Sequence, residues 1–164
     1  MIVKGYIQST LDDMESLYNC HYSLKKDIYY SKLALIELCG WIEESFDSII
    51  KLSIRNKLKS SSYKKYMKDT IKGTYGFQYN AHFRKMLIVA IGICEAEKLE
   101  RKIDKSGKIQ LLTSTLATLK EIRNENAHSF IKGTTTTIQT PSITKAQFLR
   151  IYPIIKELER EIRG

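Results

Sequence analysis

Residues 33–50 read LALIELCGWIEESFDSII, and this stretch decides the fold. Its large apolar residues recur at close to the 3.6-residue spacing of an amphipathic helix. They are Leu35, Leu38, Ile42, Phe46, Ile49 and Ile50. Asp27 is placed to cap this long helix at its N-terminus. Gly40 weakens a helix from within, so it indicates the close approach of a neighbouring helix.

Helical patterns continue on both sides of this stretch. They predict further helices over about 11–25, 62–71, 81–103 and 108–128, and a last helix that ends near 163. Thr10 and Asn80 are the expected N-caps of the helices over 11–25 and 81–103. Cys94 is expected to face inward in the helix over 81–103. The sequence therefore predicts an all-α fold, an up-and-down bundle of four to five main helices in a single domain over 1–164.

Composition narrows the possible partners. The chain has 27 Lys and Arg residues against 18 Asp and Glu, a formal net charge of +9. This excess favours a polyanionic partner such as nucleic acid. The alternative is that it merely reflects a lysine-rich proteome. The sequence shows no secretory signal, no apolar run long enough to span a membrane and no paired cysteine motif, so we expect a cytoplasmic protein without a membrane partner, disulfide framework or zinc site.

A basic segment runs from Lys51 to Lys72, with eight basic residues against one acidic residue. Lysines there can neutralise phosphates and tyrosines can stack on unpaired bases. The alternative is a solvated basic helix whose tyrosines help to cover the core. The candidates for RNA contact are Lys64, Lys65, Lys68, Lys72, Tyr63 and Tyr66.

The candidate chemistry lies in residues 121–129, EIRNENAHS. Arg123 and His128 are five residues apart, about 140° around an ideal helix, so the arginine must swing back to meet the histidine. Asn124 and Glu125 share the face of His128 and could orient its imidazole. A histidine can transfer a proton near neutral pH, and an arginine offers a fork of donors to phosphate oxygens. Because RNA carries its own 2′-hydroxyl nucleophile, these groups are sufficient to cleave it without a metal or other cofactor.

Two other interpretations of Arg123 and His128 are possible. An exposed arginine and a histidine that meets the C-terminal helix dipole would need no function. A ferritin-like di-metal site needs two Glu-x-x-His pairs, and neither His21 nor His82 has a glutamate three residues before it. The di-metal interpretation therefore fails on the number of ligands.

The sequence from Arg123 to His128, RNENAH, resembles the R-N-x-x-A-H form of the motif of the HEPN superfamily. Residues 33–47 look like the long N-terminal helix of RiboL-PSP-HEPN and related HEPN-like nucleases, and the order of helices is similar. The resemblance covers most of the chain, but only the six-residue motif is specific. It implies an all-α fold, a homodimer formed through the motif helices and metal-independent endoribonuclease activity, with catalytic roles on Arg123, His128 and Asn124 and a supporting role for Glu125.

The resemblance also implies work as a toxin or a phage-defence effector, with RNA as substrate and an antitoxin or defence-system protein as a possible partner. Related toxins often carry a tyrosine two residues after the histidine, which the antitoxin modifies, but this chain has Phe130 there. Silencing through that tyrosine is therefore not expected. The alternatives are a non-catalytic HEPN module that binds RNA, a nucleotide or a protein partner, and a purely structural interaction protein.

Overall fold

The computed structural model describes residues 2–127 and 138–163, and these residues form an all-α fold without strands. The class predicted from the sequence is confirmed. Seven α-helices occur in this part of the chain: α1 (Gly5–Asn19), α2 (Leu24–Ile54), α3 (Ser61–Lys72), α4 (Arg84–Ile91), α5 (Ile93–Ile103), α6 (Lys108–Ala127) and α7 (Pro141–Arg163). A π-helical turn at Tyr79–Phe83 leads into α4, and a 3₁₀ turn at Asp104–Ser106 precedes α6.

Helix α2 is the centre of the core. All six apolar residues of its predicted stripe are buried, and α1, α4, α6 and α7 pack around it. The stack of the Phe46 and Phe83 rings, 4.4 Å between centroids, joins α2 to the π-helical turn. Trp41 meets Phe148 of α7 edge to face at 5.2 Å. One continuous core thus contains buried side chains from every helix of the described chain.

All three expected caps are wrong. Asn80 lies inside the π-helical turn, whose N-cap is Gln78. Ser23 caps α2, since its hydroxyl accepts the backbone N–H of Lys26 at 3.3 Å, and Asp27 lies inside the first turn instead. Thr10 lies inside α1, which begins at Gly5, and its hydroxyl donates to the Tyr6 carbonyl. A hydroxyl or carboxylate in the middle of a helical segment can look like a cap in the sequence when the turn before it is also helical.

The helix predicted over 81–103 is divided into two. Gly92 has φ +85° and ψ 156°, a conformation that is essentially restricted to glycine, and it separates α4 from α5. Because the helix is interrupted at Gly92, the buried face of α5 does not continue that of α4, and Cys94 is exposed rather than inward. Cys39 of α2, by contrast, is buried.

A buried carboxylate joins the two ends of the chain. Glu159 of α7 accepts the backbone N–H of Ile2 at 3.1 Å and pairs with Lys156 and Arg163, each at 2.6 Å. Lys156 also donates to the Ile2 carbonyl at 3.1 Å. The start of the chain is therefore held against its last helix.

In the part of the chain that the structure describes, no helix has both the length and the apolar character needed to cross a bilayer.

Candidate functional site

The last turns of α6 carry the part of the motif that the structure describes. Helix α6 continues to Ala127, close to the predicted end. Arg123 is half-buried, whereas Asn124 and Glu125 are exposed. His128 and Phe130 lie outside the described residues. The structure therefore places the arginine and the polar residue after it, and leaves the distance to the histidine as a prediction.

Arg123 lies on α6, which packs against α2. Its guanidinium Nη1 donates to the side-chain oxygen of Asn124 at 3.4 Å, so the two polar residues of the motif meet. Burial raises the pKa of the Cys39 thiol to about 12, while the charge of Arg123 acts on that thiol in the opposite sense. The guanidinium thus lies near Cys39 and still keeps part of its surface in solvent, where an anion can reach it.

Asn126 is a buried polar residue inside the motif. Its amide donates to the carbonyl of Ile122 at 2.8 Å. A buried amide is costly unless it is hydrogen-bonded, and this bond gives the Asn126 amide a partner one turn back in its own helix. Nothing in the spacing of the motif had singled this residue out.

His82 lies at the boundary between core and surface, in a defined environment. Its Nδ1 accepts the backbone N–H of Gln78 at 3.1 Å. Because a backbone N–H can only donate, the neutral ring must carry its proton on Nε2. The ring lies over Gly76, where an added Cβ would come within 2.7 Å of Cε1 and where φ is +124°. Only glycine fits beneath this histidine.

The charges around His82 come from three elements. Burial lowers its pKa, Lys120 of α6 and Lys85 of α4 act in the same direction, and Glu43 of α2 opposes them. Lys120 and Arg123 are three residues apart on α6 and therefore lie on one face. Helix α6 contacts both α2 and the π-helical turn that carries His82, and Glu43 of α2 acts on both Cys39 and His82, so these charges gather at the boundary where α6 meets α2 and the turn.

This boundary offers hydrogen-bond donors to an anion. A neutral His82 presents an N–H group, and Lys120 and Arg123 present permanent positive charge, with Glu43 as a partial counter-charge. Such a set can hold a phosphate and stabilise negative charge that develops on it. Within residues 2–127 and 138–163, no three His, Cys, Asp or Glu side chains converge where they could hold a metal ion.

Helix α3 carries the predicted RNA contacts on two different flanks. Lys64, Lys65, Lys68 and Lys72 are exposed and fall within about 100° of one another at 100° per residue. Tyr63 and Tyr66 are also exposed but lie on the other side of the buried pair Met67 and Ile71. The lysines and tyrosines alternate in the sequence, but they lie on opposite flanks of α3.

Each flank borders its own groove. Lys64, Lys68 and Lys72 line one together with Lys51 and Asp47 of α2. Tyr63 and Tyr66 line another that is mainly apolar, with Val89 and Ala90 of α4. Lys51 lies twelve residues after Cys39 on α2, about 18 Å along the helix axis. The lysine groove is thus displaced along α2 from the level of Cys39, and the tyrosine groove lies on the opposite flank of α3.

Sequence reasoning missed His82, Glu43, Lys120 and Asn126. The spacing of Lys120 and Arg123 was the one available signal, because residues three apart on a helix share a face. His82 and Glu43 come from distant segments, and no local pattern shows that they meet.

Comparison with protein-family models, with curated proteins and with solved structures finds no match to this chain, so its function has to be argued from its own residues.

Proposed function

We propose that this protein is a metal-independent endoribonuclease of the HEPN type that cleaves RNA by attack of the 2′-hydroxyl, as a toxin or a phage-defence effector in the cytoplasm. The observation that carries the proposal is the position of Arg123. It lies on the last turns of a well-packed helix, hydrogen-bonded to Asn124 and partly open to solvent. The resemblance of RNENAH to the HEPN motif supports the assignment of His128 as its partner.

The proposed reaction balances without a metal or other cofactor. His128 accepts the 2′-hydroxyl proton, the 2′-oxygen forms a bond to phosphorus, and the bond from phosphorus to the 5′-oxygen breaks. The 5′-oxygen takes a proton from an acid, which in a homodimer is the His128 of the second copy. Arg123 binds the phosphate oxygens as charge develops, Asn124 orients the guanidinium, and Glu125 supports the imidazole. The products are a 2′,3′-cyclic phosphate and a 5′-hydroxyl.

Lys120 and His82 extend this positive site along the boundary between α2 and α6. In the proposed reaction they bind the phosphate next to the one that is cut, because a neutral imidazole N–H and an ammonium both donate to phosphate oxygens. The lysines of α3 would hold the strand farther along.

The test is cleavage of a single-stranded RNA in EDTA by purified protein, with the ends identified by mass spectrometry. We expect a 2′,3′-cyclic phosphate, and we expect Arg123→Ala and His128→Ala to reduce cleavage by at least about a hundredfold. Arg150→Ala is the matched control, since Arg150 is an exposed arginine on α7, and it should cleave like the wild type. The same oligonucleotide made of DNA should stay intact, because it lacks the nucleophile.

A second candidate is a HEPN-like module that binds RNA, a nucleotide or a protein without cutting. The positive groups along α2 and α6 favour it, because they would bind a polyanion even without a proton-transfer step. Wild-type protein that binds the RNA and leaves it uncut under all these conditions would replace the nuclease with this module. An antitoxin or defence-system partner would then act on binding rather than on catalysis.

A further inference from the structure

Helix α2 has a second apolar stripe, on the side away from the core. Tyr29, Leu33 and Ile36 are 47%, 42% and 40% exposed, and Gly40 continues their line. A Cβ at Gly40 would meet no described atom within 4 Å. The sequence indicated a neighbouring helix at this glycine, and none lies there within the described part of the chain. The spacing of four, three and four residues is that of a coiled-coil seam.

The stripe is complementary to itself when two copies run antiparallel. A two-fold axis between residues 34 and 35 pairs positions whose numbers add up to 69. It places Tyr29 opposite Gly40 of the second copy, so a large ring meets an open space. It also places Leu33 opposite Ile36 of the second copy. Each contact occurs twice, and the seam from residue 25 to 44 is about 30 Å long.

The charges at the ends of the seam favour the same arrangement. Lys25 and Lys26 lie at the N-terminal end of α2, and Glu43 and Glu44 lie near the other end of the stripe. Lys26 and Glu44 lie on one flank of the stripe, and Lys25 and Glu43 lie on the other. Because the two-fold axis keeps each flank on its own side, Lys26 lies beside Glu44 of the second copy and Lys25 beside Glu43 of the second copy, each within one residue of exact register. A parallel pairing would instead set lysines against lysines and glutamates against glutamates, which is repulsive.

We propose that a second copy of this chain docks on this stripe, with the two α2 helices packed antiparallel through Tyr29, Leu33, Ile36 and Gly40. This interface differs from the one through the motif helices that the HEPN resemblance implies, and the pairing itself requires nothing from the proposed nuclease.

The consequence of this pairing for the Arg123 and His128 motif rests on the proposed function. The two-fold axis keeps the same flank of each α2 on the same side of the dimer, so both Arg123 side chains face one surface. The two Cys39 positions that they approach are nine residues apart, about 14 Å along the axis. This surface of the dimer would then present both motifs to one RNA strand.

The first test is the mass of the protein in sedimentation equilibrium, without RNA. We expect a wild-type dimer that dissociates on dilution. Leu33→Glu should raise the dissociation constant at least about tenfold, because it buries a charge in the seam. Leu149→Glu is the control, since Leu149 of α7 is 43% exposed, almost the same as Leu33. A monomeric wild type, or a dimer that survives Leu33→Glu, overturns the proposal.

The second test exchanges the charges. Lys26→Glu and Glu44→Lys should each weaken the dimer, and the double variant should restore it, because the pair is then re-formed with opposite polarity. Circular dichroism confirms that each variant is folded. Single variants that weaken the dimer additively, without recovery in the double variant, would contradict the antiparallel register.

The two proposals can fail separately. A dimer that depends on Leu33 and Lys26 but never cuts RNA removes the nuclease and keeps the pairing. A wild-type monomer that cuts RNA at full rate removes the pairing and the acid from the second copy, and keeps the nuclease. If both hold, Leu33→Glu should lose cleavage in proportion to its loss of dimer.

Discussion

Two glycines show how differently one residue type acts at the scale of single residues. Gly92 lies between α4 and α5 with φ +85°, where any side chain is strained. Gly40 lies inside α2 with open space around it among the described atoms, and its helical backbone accepts any residue. The conformation of the backbone, rather than the space around it, determines which glycine can be replaced.

We therefore predict opposite effects for the same substitution. Gly92→Ala should lower the free energy of unfolding by about 1–3 kcal/mol, because alanine must adopt a conformation that it rarely occupies. Gly40→Ala should raise it by about 0.5–1 kcal/mol, because alanine is the better helix former. Urea unfolding at high dilution measures both without a contribution from self-association. Equal effects of the same sign would contradict this account.

At the scale of elements, the sequence predicted best where one pattern dominates. The stripe of α2 and the extents of α3 and α6 were predicted closely, because helical periodicity, Gly73 at the end of α3 and Gly107 before α6 are local signals. The division of 81–103 was not predicted, since both halves are helical and only a positive φ at Gly92 separates them. The charges around His82 could not be predicted either, because Glu43 and Lys120 come close to it only through packing of distant segments.

Helix α3 gives a prediction about charge. Because the lysines share one flank and the tyrosines another, replacing Lys64 and Lys68 with alanine should lower the salt dependence of RNA binding. Two lost phosphate contacts reduce the slope of log K against log salt by about 1.4 for a single strand. Fluorescence anisotropy over a range of salt concentrations measures this slope.

Tyr66→Ala is the matched control on the same helix. Loss of a neutral ring leaves the salt slope unchanged even where it lowers affinity, since no counterion is released at that position. An unchanged slope in the Lys64 and Lys68 double variant would show that the RNA does not follow this helix.

At the scale of the whole molecule, Glu159 connects the start of the chain to its last helix. Burial by itself raises the pKa of this carboxyl, but hydrogen bonds from Lys156, Arg163 and the Ile2 amide hold it below the ordinary value. The carboxylate is thus favoured in the folded state. Its contribution to stability is complete above the ordinary glutamate pKa of about 4.3 and is lost as the pH falls through the lower folded-state pKa.

We predict that the wild type loses stability below about pH 5 in part through Glu159. Glu159→Gln should be less stable than the wild type at neutral pH, and the difference should shrink in acid. Glu97→Gln is the control, because Glu97 forms an exposed pair with Arg101 and should differ little from the wild type at any pH. Thermal unfolding across the acid range provides the comparison, and a difference for Glu159→Gln that stays constant into acid would contradict the prediction.

The exposed stripe of α2 has a consequence for dosage. If a working site needs two chains, its abundance at low expression follows the square of the protein concentration, so halving the number of copies removes about three quarters of the sites. A cell could then carry a basal amount of such a protein at little cost. A few-fold rise in its synthesis, or the loss of a protein that covers α2, would release activity steeply and without any chemical modification.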